Sequence, residues 1–420
     1  MPSVTELCTK KSKSFASDLD EIAREGARRM LTQALEAEVA DYIARNQERD
    51  ENGRAQVVRN GKARPRKVTL GSGTIEVRAP RVEDRRQSDD GSRHRFRSQI
   101  LPPYMRRSPK VAEVLPILYL RGLSTGDFKE GLAALLGEDA SGLSPTAIAR
   151  LTAAWETDYA AFQNRDLSDR DYVYVWADGV HFRIRLEEDR LYALVMIGVR
   201  PDGRKELIAI EDGYRESTES WAGLLRGLER RGMRASVVAV GDGALGFWKA
   251  LRDVWPETRE QRCWVHRIAS VLDKLPKRLH AKAKAALHEI MWADTRRDAQ
   301  QAIARFKADY GAKYPKAVAS LRRDEAELLA FFDFPAEHWL HLRTGNVIES
   351  PFATVRLRQR VTKGAGSRQK GLLMAYKLLS LAERRWRRIN GARKIPLVQA
   401  GVQFRDGMAV ERGGPARRAA

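Results

Sequence analysis

Residues 172–179, YVYVWADG, and residues 236–243, SVVAVGDG, decide how this chain is read. Each is a β-branched or aromatic run that delivers an aspartate, Asp178 or Asp242, to a glycine. Short apolar runs bounded by a turn residue read as strands buried in a sheet. The Asp then stands at the strand's edge or just beyond it. Asp-Gly is also an ordinary turn dipeptide, and either one alone supports no more than a turn. Two of them, at the ends of neighbouring strands, put two carboxylates within reach of each other.

Working outward, DYVYVWADG (171–179), HFRIRLEED (181–189) and RLYALVMIGVR (190–200) read as three consecutive strands. The middle one alternates Phe182, Ile184 and Leu186 with Arg183, Arg185 and Glu187, the pattern of a strand with one wet face. A helix opens near Ser217, carries Trp221, Leu224, Leu225 and Leu228 on one face and stops at Gly232. SVVAVGDG is the fourth strand, LGFWKALRDVW (245–255) a second helix ended by Pro256, and QRCWVH (261–266) a fifth, short strand. This order matches the ribonuclease H-like α/β fold, a mixed five-stranded sheet with helices. In that fold the first and fourth strands hold their acidic residues side by side.

A third acidic residue, Glu349, lies in RTGNVIESPFATVRLR (343–358), an arginine-rich amphipathic segment. Asn346-x-x-Glu349 fits a capping box, whereas Pro351 fits better at the first helical position after Ser350. On either reading Glu349 stands at a helix start. Three carboxylates from two strand ends and a helix can hold hard divalent cations. Two such ions about 3.5–4 Å apart stabilise the attacking and leaving oxygens of phosphoryl transfer. Glu349 follows Asp242 by 107 positions (349 minus 242), and the intervening 267–335 reads as a helical insertion.

The flanks divide by composition. Residues 1–48 form an N-terminal helical region, with Leu31, Leu35, Val39 and Tyr42 at helical spacing. The basic stretch 49–109 holds one hairpin, Val68 and Leu70 against Ile75 and Val77 about Gly71-Ser72-Gly73, and is either a DNA-facing module or a flexible connector. Residues 110–165 resemble a helix-turn-helix, with Ser144 capping a helix that begins at Pro145. Thr146, Arg150 and Thr152 there could face a groove. The first part of the core is 166–266, the helical insertion 267–335, the second part with the Glu349 helix 336–390, and a basic disordered tail 391–420.

A net charge of +21 over 420 residues points to a polyanionic partner, since neutralising phosphates releases counterions. Only Cys8 and Cys263 are present, so no disulfide framework exists. The longest apolar runs, LPILYL and YALVMIGV, are too short to span a bilayer, and the first residues lack a signal-peptide core. The expected location is the cytoplasm, on the nucleoid if the source is bacterial. No P-loop, dinucleotide-binding glycine pattern or nucleophile elbow occurs. Cys263-x-x-His266 supplies one metal-ligand pair with no second cysteine to complete a structural zinc site, and reads as packing beneath the active site. Arg356, seven residues past Glu349, could contact DNA near the metals; Arg360 lies further along, and Arg358 reads as a solvated basic face. Trp264, Trp292 and above all Trp339 are candidates for stacking on an unpaired base, against core packing as the plainer reading.

ADGVHFRIR around Asp178, VGDGALGFWKAL around Asp242, QRCWVHR, RTGNVIESPFATVRLR and the upstream LGSGTIEVRAPR together resemble the Mutator-type transposases of bacterial insertion sequences, over roughly residues 20–390. The resemblance implies a DDE transposase with a ribonuclease H-like core and a helical insertion. Its metal-binding catalytic triad would be Asp178, Asp242 and Glu349, with Mg²⁺ or Mn²⁺ as two ions. It further implies double-stranded DNA, the terminal inverted repeats and the target, as partner, and a homodimer or higher homo-oligomer in the synaptic complex. On the residues alone two other classes stay open: a ribonuclease H-like nuclease using the same triad, and a domesticated sequence-specific DNA-binding regulator.

Overall fold

The computed structural model describes residues 4–87, 92–121, 136, 145–184, 191–213, 217–243, 245–362 and 367–410. The chain divides into two compact units, Met1–Leu151 and Thr152–Ala420. In the first unit a long helix, α1 (Val4–Arg45), buries Leu35 and Val39 against a pair of two-stranded ribbons. Strands β2 (Arg66–Leu70) and β3 (Gly73–Val77) form the expected hairpin, with Thr69 opposite Thr74, and β1 (Val57–Lys62) pairs antiparallel with β4 (Pro80–Asp84). Gly73 takes φ +119°, a conformation that favours glycine, where the hairpin turns. Leu35, Val68, Ile75, Val77 and Leu101 share one small core. The basic stretch is therefore packed on α1 and is not a flexible connector. Asp84 seals the arrangement: it accepts from Tyr42 at 2.6 Å and from Arg86 at 2.7 Å. The Arg86 guanidinium holds the Asp84 carboxyl down at about 2.

Helix α2 spans Pro109–Arg121 and α3 spans Pro145–Asn164. Pro145 starts α3 as its sequence predicts, and Arg150 lies in that helix. The turn and middle helix expected between them fall on 122–144, which, Leu136 apart, lie outside the described residues.

The second unit holds a mixed five-stranded sheet in the order β7-β6-β5-β8-β9, counted among the described residues. β6 (Leu191–Val199) runs antiparallel to both its neighbours, β5 (Tyr174–Phe182) and β7 (Lys205–Gly213); β8 (Val238–Gly241) and β9 (Arg259–Arg262) add parallel to β5. Five strands were expected, but three are placed differently. The first does not end at Asp178: it runs through Gly179 to Phe182 in unbroken register with β6, so HFRIRLEED is not a separate strand over its first residues. The missing strand is KELIAIEDG, 205–213. The fifth strand stops at Arg262, because WVHRIASVL presents Trp264, Arg267, Ile268 and Val271 to the core at helical spacing and forms α6 (Trp264–Leu272).

Both sheet faces are covered, which explains why β6 and β8 read as nearly continuous apolar runs. Helix α4 (Thr218–Arg230) starts where Ser217 accepts from the Ser220 amide and buries Trp221, Leu224, Leu225 and Leu228. With α5 (Leu245–Val254) it covers the face carrying Val175, Ala177, Leu194 and Ala239. Tyr174 and Trp176 point to the other face, where Tyr174 Oη lies 2.7 Å from His338 Nδ1 and Trp176 Nε1 donates to His341 O at 3.2 Å. Side chains alternate along a strand, so Asp178 shares that second face. After the last strand of the sheet come α6, α7 (His280–Met291), α8 (Arg296–Tyr310) and α9 (Pro315–Arg322). Beyond them α10 (Asn346–Thr362) packs on β5 and β6, and α11 (Arg368–Glu383) on β6 and β7. The expected disordered tail is ordered as far as Val410: a short helix, Ile395–Gln399, and a two-residue hairpin bury Ile395, Val398 and Phe404. Residues 411–420 lie outside the described residues.

Candidate active site

The parallel ladder between β5 and β8 ends at Ala177 opposite Gly241. Asp178 is the next residue of β5 and Asp242 the first residue after β8, so each follows directly on the last pair of that ladder. Each is steadied by its following glycine: Gly179 N donates to Asp178 Oδ1 at 2.8 Å, and Gly243 N donates to Asp242 Oδ1. Gly241 also lets β8 lie close to Trp248 and to the Ala177 carbonyl, since a Cβ there would stand 3.1 and 3.2 Å from them. Trp248 Nε1 donates to the Asp242 carbonyl and fixes the chain as it leaves the strand.

Glu349 sits in the first turn of α10, which begins at Asn346 and takes Pro351 inside the helix. The start after Ser350 is therefore not adopted. Gly345 caps the helix instead, its carbonyl accepting from the amides of Ile348 and Glu349 at 2.9 Å each. Glu349 Oε1 is buried and has no hydrogen-bond partner, so this oxygen does not cap the helix. Gly345 was not singled out from sequence, although its place before an Asn-led helix was a usable signal. Its amide donates to Cys263 Sγ at 3.1 Å, and a Cβ on it would stand 3.0 Å from Glu349 Oε1.

Cys263 is the residue before α6 and His266 lies in its first turn, so the i, i+3 pair occupies one edge of that helix end. His266 Nδ1 is 3.9 Å from Asp242 Oδ1 and 3.7 Å from Glu349 Oε1, bridging the two carboxylates. The Cys263 sulfur is the largest influence on this imidazole; burial acts against it, and the charges of Asp242 and Glu349 reinforce it. Together they push His266 up to about 9. Nδ1 has no hydrogen bond of good geometry, so we attribute the rise to the electronegative surroundings collectively. Among the described residues, the metal-capable group whose donor atoms all lie within 4.8 Å is Cys263, His266 and Glu349. Asp242 lies 3.9 Å from His266 Nδ1 at the edge of this group, and Asp178 is not part of it.

A cleft of about 420 Å³ opens beside Asp242 and His266, lined among others by Arg262, Arg267, Lys274 and Arg323. Arg262 lies 3.8 Å over the Trp248 ring and pairs with Glu260, while Arg267 pairs with Asp324. The expected DNA contacts are sorted by burial. Arg356 and Arg360 are exposed on α10 and free to meet a polyanion. Arg358 is 1% exposed and is no solvated basic face, because its turn of the helix faces the core with Val355. Trp339 is 8% exposed, donates to Phe334 O at 2.8 Å and packs edge-on to Phe331 and Phe332, so its ring is not available to a base. Trp264 is fully buried, with its indole N–H on Leu328 O at 2.9 Å. Trp292 alone of the three keeps an exposed ring, at 50%. No described helix is long and apolar enough to cross a membrane.

Known proteins share this chain over most of its length. The family described as "Transposase, Mutator family" matches residues 2–386. The transposase for insertion sequence element IS6120 of Mycolicibacterium smegmatis is 58% identical over 302 residues, 72% of this chain and 93% of that protein. The transposase for insertion sequence element IST2 of Acidithiobacillus ferrooxidans is 49% identical over 288 residues, 67% and 95% of the two chains. At greater distance, the transposase for insertion sequence element IS256 in transposon Tn4001 of Staphylococcus aureus is 27% identical over 351 residues, covering 82% and 85%. A match of this extent and identity places it: the chain belongs to the Mutator family of transposases.

Proposed function

We propose that this chain cuts and joins DNA at the ends of an insertion sequence by a DDE mechanism, with Asp178, Asp242 and Glu349 as the metal-binding triad on a ribonuclease H-like core. The observation that supports the reading is the strand register: Ala177 stands opposite Gly241, and Asp178 and Asp242 are the residues that follow them. Helix α10 lies over the same sheet face and brings Glu349 to the same His266 that Asp242 approaches. Sheet order and the long helical excursion between Asp242 and Glu349 also agree with that fold.

The donor set fits hard cations in one respect: Glu349 Oε1 is a buried oxygen with no partner, which an ion would satisfy. Bound Mg²⁺ or Mn²⁺ would activate water and stabilise the leaving oxygen of the phosphodiester. The chain's own part is positional. Gly179 and Gly243 amides orient the two aspartates, Gly345 sets the approach of Glu349, and α10 offers Arg356 and Arg360 to phosphates nearby. Inverted-repeat DNA, target DNA and a second copy of the chain are the partners this reading requires.

The test uses a supercoiled DNA carrying the element's two ends, purified protein and Mg²⁺ or Mn²⁺. Asp178→Ala, Asp242→Ala and Glu349→Ala are expected to abolish cleavage and joining while end binding survives. Full activity in any one of them removes that residue from the triad. Cut but unjoined products from the wild type would make it a nuclease, and binding without cutting a regulator.

A further inference from the structure

We propose that Cys263, His266, Glu349 and Asp242 form a binding site for a thiophilic cation of the Zn²⁺ type, and that filling it disables the catalytic carboxylates. The Cys-x-x-His pair lacks two ligands in sequence, and the fold supplies them as carboxylates from β8 and α10. Sulfur, imidazole nitrogen and the Glu349 oxygen lie within 4.8 Å of one another, with His266 Nδ1 at 3.7 Å from Glu349 and 3.9 Å from Asp242. Ligand bonds of about 2.0–2.3 Å in a tetrahedron place donors roughly 3.3–3.8 Å apart. The His266–Glu349 spacing already meets that, and the remaining closure is within reach of side-chain rotation.

Two features aim these groups at a common point. His266 Nδ1 and Glu349 Oε1 are both buried without a hydrogen-bond partner, an unmet demand that a cation answers. Two helix starts, at Trp264 and Asn346, hold the donors, and the Gly345 amide steadies Cys263 Sγ at 3.1 Å. Entry is through the cleft that Asp242, Cys263 and His266 line. On loading, the Cys263 S–H proton and the extra proton of a His266 imidazolium leave to solvent, and sulfur–metal and nitrogen–metal bonds form.

Ligand chemistry sets the consequence. Mg²⁺ prefers an octahedron of oxygens, whereas a thiolate and an imidazole select Zn²⁺ over it. A Zn²⁺ held here draws on Glu349 and Asp242 and leaves Asp178 without its partners. Metal supply then acts on this chain as an on–off input. The binding site stands on geometry alone; the inhibitory effect rests on the function proposed above.

The experiment titrates metal-free, full-length protein with Co²⁺ as a spectroscopic stand-in, then measures Zn²⁺ by competition with a chromophoric chelator. One equivalent per chain is expected, with sulfur-to-cobalt charge transfer and intense tetrahedral visible bands. Cys263→Ser should lose the charge-transfer band and weaken Zn²⁺ by about 100-fold or more, whereas Cys8→Ser should keep both. No band in the wild type, or an unchanged band in Cys263→Ser, overturns the site. In a parallel Mg²⁺ cleavage assay, the Zn²⁺ giving half inhibition should rise at least about tenfold in Cys263→Ser, each variant normalised to its own Zn²⁺-free rate. Equal inhibition in both overturns the switch. A wild type that never cleaves DNA refutes the proposed function, while the cobalt spectrum still decides the site.

Discussion

Replacing Gly345 with alanine tests how finely α10 positions Glu349. The added Cβ would stand 3.0 Å from Glu349 Oε1 and 3.7 Å from Cys263 Sγ. Ordinary van der Waals contact begins near 3.4 Å, so the carboxylate oxygen must retreat by about 0.4 Å (3.4 minus 3.0), and the sulfur need not move. Gly345 is not among the residues with positive φ, so alanine fits the backbone. Stability should hardly change: alanine is the poorer cap by about 0.5–1 kcal/mol, but it restricts the unfolded chain by a similar amount. Catalysis is more exposed. A misplacement of about 1 Å can reduce a rate about 100-fold, and scaling its logarithm to 0.4 Å gives a loss of about 5–10-fold. Single-turnover cleavage of labelled element-end DNA, with thermal unfolding of the same samples, measures both quantities. A variant that cleaves within twofold of wild type at unchanged stability would refute the link between this glycine and the catalytic carboxylate.

On α10, Arg356→Ala and Arg360→Ala should each weaken DNA binding, with a salt slope smaller by about 1, and leave stability within about 0.5 kcal/mol. Arg358→Ala should instead destabilise by about 2–5 kcal/mol, because truncating a long side chain that is 1% exposed leaves a cavity in the core; urea unfolding beside salt-dependent binding separates the two classes. Trp339→Ala should cost about 3–5 kcal/mol of stability with no change in DNA affinity per folded molecule, and a selective affinity loss would restore it as a base-stacking residue. In metal-free protein His266 is raised from 6.5 to about 9, so its stabilising contribution is complete below about pH 6.5 and is lost as pH rises through 9. The gain is damped because the ring is 34% exposed. Unfolding free energy measured across that window should fall in the wild type and flatten in His266→Gln.

The two strands that carry Asp178 and lead to Asp242 were legible because β-branched runs, aspartate and glycine are local signals, and the parallel register pairs those strands. Ser217, Pro145 and the Gly71–Gly73 hairpin were legible for the same reason. KELIAIEDG escaped because Lys205, Glu206, Glu211 and Asp212 frame only four apolar residues, and charge masked an edge strand that pairs with β6 alone in the sheet. Asp178 was placed at a strand end because the glycine after it looked like a stop; pairing with Leu194 carries the strand on. Burial of a large polar residue was the least legible property. Nothing local in VRLRQR marks Arg358 as the inward arginine, whereas for Trp339 the plainer reading, core packing, is the one that Phe331, Phe332 and Arg343 supply. Residues 391–410 read as tail because their few apolar side chains find cover only on distant segments, as Gly407 does on the Phe332 carbonyl.

The amide of Trp264 donates to the carbonyl of Arg343 at 2.9 Å, clasping the chain where it leaves the sheet to where it returns. Everything from α6 to the return is thereby a closed excursion whose two feet share one anchorage. Lengthening or shortening its outer helices would not shift the span between Asp242 and Glu349. The far end of the excursion can therefore change in length while its base keeps one tether.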